Sequence, residues 1–143
     1  MILTDNYVNI MPSSHEYKKF AAAVIIRDSR VFAVQRGYGE YKDWWEFPGG
    51  KVEAGETPDK TIVREIKEEL GTLISADKLL CTVEYDYPSF HLSMDCYLCT
   101  VLEGNLTLIE HEDARWLTPE ELYDVKWLPA DVTAVNLVND ILQ

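Results

Sequence analysis

The chain has 143 residues, 47% hydrophobic and 27% charged, and a formal net charge of -12. That size suits one domain (residues 1–143) closing a single apolar core without staples, and the mixture excludes a fibrous, disordered or membrane-spanning protein. The acidity also excludes a protein that wraps a nucleic-acid polymer, since that requires Lys and Arg to displace phosphate counterions.

Residues 1–17 read as a lead-in, and Met1 to Ser14 lacks the basic-then-apolar layout of a signal peptide. No apolar run approaches the ~18 residues of a transmembrane helix, so a cytoplasmic protein without membrane association is expected. Phe20 to Arg27 and Val31 to Arg36 are two short apolar strands around a tight turn at Asp28-Ser29-Arg30. A glycine-bearing loop, Gly37 to Asp43, leads to an aromatic strand, Trp44 to Phe47, ending at Pro48-Gly49-Gly50. Thr57-Pro58 starts a helix, with Thr57 as N-cap and Pro58 at the first helical position. Ile62, Val63, Ile66 and Leu70 form its apolar face, and Gly71 ends it.

Leu79 to Tyr87 and His91 to Leu102 read as strands joined by a turn at Pro88-Ser89. Thr107 to Trp116 reads as a further strand, broken by the charged cluster Glu110 to Asp113. Thr118 to Glu121 is a capping box opening a short helix. A last helix begins near Asp131, with Val132, Val135, Val138 and Leu142 as its buried stripe. This order predicts an α+β protein, a mixed sheet with helices on its faces. Cys81, Cys96 and Cys99 are an odd set outside any secretory context, which disfavours a disulfide framework. Cys96 and Cys99 have the spacing of half a zinc site, but no second pair completes it, and free buried thiols are expected.

The chemistry resides in Gly50 to Gly71, GKVEAGETPDKTIVREIKEELG. Glu65 stands three and four residues from Glu68 and Glu69, so three carboxylates share one edge of a helix. Such a cluster is either a solvated face or an oxygen-ligand set for a hard cation such as magnesium. The surrounding intervals decide the matter. Gly50, Glu56, Arg64-Glu65-Ile66, Glu68-Glu69 and Gly71 resemble the Nudix box, G-x5-E-x7-R-E-U-x-E-E-x-G-U with U apolar. Only the last position departs, where Thr72 stands.

The resemblance implies a Nudix-type α/β/α sandwich with the box as loop-helix-loop. It also implies that the Gly49 carbonyl and the Glu65, Glu68 and Glu69 carboxylates bind magnesium or manganese. Arg64 would buttress the helix by pairing with an acid such as Glu56, and Glu65 or Glu68 would take the proton of the attacking water. Glu110, with Glu112 as competitor, resembles a later loop ligand. WEFPGGK resembles the MutT-like branch, which implies (d)NTP hydrolysis to (d)NMP and diphosphate, with 8-oxo-dGTP or modified or unmodified CTP and dCTP as candidates. The partner is then a small nucleotide, bound by a monomer or a homodimer. Alternatives within the fold are hydrolysis of ADP-ribose or a dinucleoside polyphosphate; outside catalysis, a nucleotide-binding module.

For the substrate, Arg36 is either a nucleotide contact or a surface arginine, and Phe47 either a pocket wall or a core aromatic. Asp131 stands where an asparagine reads the base in MutT-like proteins, or it is only the N-cap of the last helix. Ionised, it accepts only and favours a base offering N–H donors such as cytosine; protonated and buried, it also donates.

Overall fold

The computed structural model describes residues 16–107 and 113–142. In chain order these form β1 (Glu16–Arg27), β2 (Arg30–Gln35), β3 (Trp45–Glu46), β4 (Gly49–Lys51), α1 (Pro58–Leu70), β5 (Leu73–Tyr87), β6 (Phe90–Glu103), β7 (Asp113–Leu117) and α2 (Val132–Leu142). Two short 3-10 turns, Pro119–Glu121 and Pro129–Asp131, precede α2.

β1 organises the sheet. From Glu16 to Ile25 it pairs parallel with β6, while its other edge is shared. Near its start it carries β4, antiparallel, from Phe20 opposite Lys51 to Ala22 opposite Gly49. Near its end it carries β2, antiparallel, with Ile26 opposite Val31. β3 and β7 lie on β2, and β5 on β6. The chain therefore leaves β2 at Glu46 and joins β1 at Gly49, and a cleft opens where the two neighbours of β1 diverge.

The uninterrupted apolar run of β1 follows from burial on both faces. Ala21, Ala23 and Ile25 meet Ile62, Ile66 and Leu70 of α1. Ala22 and Val24 meet the other core, which holds Ala134, Val135 and Val138 of α2. Helices thus cover both faces, the sandwich expected from the sequence.

Local expectations fare unevenly. The first hairpin turns at Asp28 and Ser29, both at positive φ, 54° and 61°, as a two-residue type I′ turn requires. Gly71 ends α1 in the left-handed region at φ 58°, its N–H donating to the Lys67 carbonyl. Thr57 has the extended backbone of an N-cap, yet its side chain makes no capping bond. Thr118 and Glu121 do form their reciprocal box: the Glu121 carboxylate accepts from the Thr118 N–H at 3.0 Å. The strand expected from Leu79 begins at Leu73, because register shifts at Ala76/Lys78 and Leu79/Cys81 erase the alternation of its first half. Val132 is exposed, and Ala134 replaces it in the stripe of α2. Of the strand expected over Thr107 to Trp116, the described part is β7, and Glu110 and Glu112 lie outside the described residues. Among the described residues no helix is long and apolar enough to cross a membrane.

Thr72, the departure from the box pattern, is fully buried. Its hydroxyl donates to the Leu70 carbonyl at 2.9 Å and accepts the Leu106 N–H at 2.7 Å. An apolar residue here would strand a buried amide. Thr72→Val, equal in shape, should therefore cost about 1–3 kcal/mol, read as a lower urea midpoint with an unchanged m-value; an unaltered midpoint would show that the tie contributes nothing.

Candidate active site

Arg64 is the centre of the box. Its Nε and Nη2 donate to the two oxygens of Glu56 at 2.7 and 3.0 Å, a two-pronged pairing across the loop. Its Nη1 donates to Glu65 at 2.7 Å and to Glu68 at 2.9 Å. Glu53 approaches Nη2 at 3.7 Å, and the Lys51 carbonyl accepts from it at 3.4 Å. Thr61, buried in the first turns of α1, donates its hydroxyl to Glu56 at 2.7 Å. Arg64 first, then Thr61, hold the Glu56 carboxyl down at about 2. The Glu56 bond in turn raises Arg64 above its ordinary range.

Two glycines are set by close approach. A Cβ on Gly49 would stand 2.1 Å from the Ala21 carbonyl oxygen, and one on Gly50 would stand 2.5 Å from the Glu65 carboxyl carbon. Gly50 is therefore the surface against which Glu65 lies. Glu68 is exposed and Glu69 half-buried on the same edge of the helix.

Beside this edge is the cleft, about 780 Å³ including its open mouth. Gly49, Gly50 and Glu69 line one side, and Arg36, Glu46, Phe47 and Asp131 line the other. Arg36 is no surface arginine. It is 3% exposed, and its Nε and Nη2 donate to Glu46 at 3.3 and 3.4 Å. Phe47 is both core aromatic and cleft wall, its ring centroid 4.7 Å from that of Trp127.

Asp131 does not cap α2. The segment ahead of α2 runs beside β3, the Trp45 N–H donating to the Lys126 carbonyl and the Leu128 N–H to the Trp45 carbonyl, both at 2.8 Å. That places the Asp131 carboxyl where its Oδ2 accepts the Phe47 N–H at 2.9 Å. Burial, then the nearby Glu46 charge, pushes Asp131 up to about 8, opposed by the Phe47 N–H and Arg36.

Residues 17–136 match the family described as NUDIX domain. The chain belongs to this family. It is 39% identical over 89 residues to an "8-oxo-dGTP diphosphatase" of Proteus vulgaris, covering 61% of this chain and 80% of that one. It is 30% identical to the "CTP pyrophosphohydrolase" of Escherichia coli (strain K12), covering 78% and 83%. The crystal structure of "MutT NUDIX hydrolase from Burkholderia pseudomallei" superposes with a TM-score of 0.79 at 28% identity, over 86% and 98% of the two chains.

In this Nudix domain the tertiary structure brings Gly49, Glu69, Arg36, Phe47 and Asp131 to one cleft, with Glu65 beside Gly50 and Glu68 outermost near Arg64. Glu46 and Tyr38, which also line the cleft, were not among the residues singled out from sequence. Glu46 reads there as an ordinary strand glutamate, and Tyr38 as a loop residue. The two thiols Cys96 and Cys99 belong to opposite faces of β6, which removes the half zinc site.

A depressed carboxyl stabilises the fold above its ordinary pKa, and loses that contribution as pH falls through the folded value. The urea midpoints of wild type and Glu56→Gln should therefore differ fully above about pH 5 and converge as pH falls toward about 2. A gap that stays constant would show that Glu56 stabilises through shape and not charge.

Proposed function

We propose that the chain is a divalent-cation-dependent nucleoside triphosphate pyrophosphohydrolase, converting a (d)NTP and water to a (d)NMP and diphosphate. Among the candidate substrates, 8-oxo-dGTP fits best. The observation that carries this reading is the single cleft joining the carboxylate edge of α1 to buried Arg36 and Asp131 and the partly buried Glu46.

The donor set fits a hard cation in chemistry: the Gly49 carbonyl and the Glu65, Glu68 and Glu69 carboxylates are all oxygen ligands, suited to magnesium or manganese. Among the described residues no three potential ligands converge on one point, since Arg64 Nη1 engages both Glu65 and Glu68. Glu65, Glu68 and Glu69 with the Gly49 carbonyl would hold the ion, and Glu110 would add a ligand from the later loop. When bound, such an ion neutralises phosphoryl charge and lowers the pKa of an attacking water.

The remaining work falls to side chains. Arg64 holds Glu65 and Glu68 on one edge and ties that edge to the loop through Glu56. Glu65 or Glu68 accepts the proton of the attacking water. Phe47 offers the wall against which a base lies. With a pKa of about 8, Asp131 is neutral at pH 7. Its Oδ2 accepts from Phe47 N–H, which leaves Oδ1 to carry the proton and donate into the cleft. A donor there matches a purine carbonyl. The acceptor-only reading that favoured cytosine applies only once Asp131 ionises.

A panel of 8-oxo-dGTP, CTP, dCTP and 5-methyl-dCTP, assayed with magnesium for diphosphate against phosphate release, tests the reading; no turnover of any would sink it. Glu68→Gln should lower kcat/KM by at least about 10–100-fold while the fold persists, and full activity would remove Glu68 from the ligand set. For 8-oxo-dGTP, kcat/KM should fall as pH rises through about 8, as Asp131 loses its donor proton. Asp131→Asn should abolish that step. A step unchanged in the variant would assign the titration to another group.

A further inference from the structure

Below the cleft, two thiols face each other. Cys81 of β5 stands directly opposite Cys96 of β6 in the antiparallel ladder. Opposed Cα atoms in such a ladder lie about 4.5 or 5.5 Å apart, depending on the pair type. Both values fall within the roughly 4.4–6.8 Å that a disulfide spans. The two side chains share one face of the sheet, packed in the core under α2. Cys96 is buried, whereas Cys81 is only partly so and can be reached by a small oxidant.

The pair is joined to the cleft. Two residues along β6, Met94 lines the cleft, and across β1 the partner of Cys96 is Ala22, which lines it too. The third thiol, Cys99, lies on the other face, its Sγ donating to the Tyr97 carbonyl at 3.3 Å.

We propose that Cys81 and Cys96 are an oxidation-sensitive dithiol that closes to a disulfide under a hydroperoxide and weakens nucleotide binding in the cleft above. The Cys96 thiol donates to the Cys81 sulfur, which lowers Cys81 and raises Cys96 from their ordinary values, so Cys81 is the attacking sulfur. Cys81 attacks one peroxide oxygen and the O–O bond breaks. A sulfenic acid remains on Cys81, and the other oxygen leaves as water or alcohol. The Cys96 sulfur then attacks the sulfenic sulfur; the S–S bond forms, and hydroxide departs with the Cys96 proton as water. Two thiols lose two electrons, and one hydroperoxide gains them. Closure brings the Cβ atoms to about 3.8 Å, from the roughly 4.5–5.5 Å of an ordinary cross-strand pair. β5 is drawn toward β6 beside its bulge, and the floor at Met94 moves with it.

The test oxidises the reduced full-length protein with hydrogen peroxide and maps its peptides without reductant. A linked Cys81–Cys96 peptide, two hydrogens lighter, reversed by dithiothreitol and accompanied by free Cys99, is the expected result. Free thiols throughout, or Cys81 driven to sulfinic acid with no link, would overturn the site. Linked protein should show a several-fold higher nucleotide KM than Cys81→Ser treated alike. An equal KM with complete linkage would overturn the connection to the cleft. The KM arm rests on the nucleotide reading above; the peptide map does not, so the two can fail separately.

Discussion

Arg64 holds a loop, a helix and a carboxylate edge in one arrangement with a single guanidinium. Four glutamates, Glu53, Glu56, Glu65 and Glu68, come within ion-pair distance of it. Without that positive charge, the acidic groups of the loop and of α1 would repel one another at helical neighbour spacing. The bidentate bond to Glu56 matters most, because a fork meeting a carboxylate sets orientation as well as distance. Lysine, a point charge on a flexible stem, would supply neither.

The close backbone approaches at Gly49 and Gly50 complement this arrangement. β4 presses on β1 at Ala21 and Ala22, and Glu65 lies on the bare Cα of Gly50. The carbonyl face of the loop and the carboxylates of α1 therefore border the same cleft, and hard oxygen donors collect in a chain whose overall charge would otherwise repel a triphosphate.

On the opposite wall a different economy holds. Arg36 is taken out of water, and its pairing with the partly buried Glu46 makes that burial tolerable. Among the described residues Asp131 makes no ion pair, and Arg36 acts on it only from a distance. The burial of Asp131, then the nearby Glu46, pushes it well above the usual carboxylate range, and the Phe47 N–H occupies one of its oxygens. In the proposed function, that raised pKa is what would let an aspartate present the donor that an asparagine would. Arg36, Glu46 and Asp131 line the same cleft wall, each shaped by its neighbours.

Much of this was legible in the residues themselves. Helical spacing placed Glu65, Glu68 and Glu69 on one edge, the fixed intervals of the box picked out Arg64 and Glu56, and β1 announced burial on both faces by its unbroken apolar run. These are local properties, set by backbone periodicity and short-range sterics. From sequence Thr72 was only the one departure from the box pattern, and its role appeared only with Leu106 beside it, 34 residues on. Likewise Asp131 as helix cap was a sound local reading, overridden because the segment before α2 lies alongside β3 and delivers the carboxyl to Phe47. By itself the sequence determined the family, the two-faced core and the carboxylate edge. Only the tertiary structure decided which groups come together, and so the partnership of Arg36 with Glu46, the raised pKa of Asp131 and the meeting of Cys81 with Cys96. Those depend on desolvation and contacts between distant segments, which no local pattern encodes.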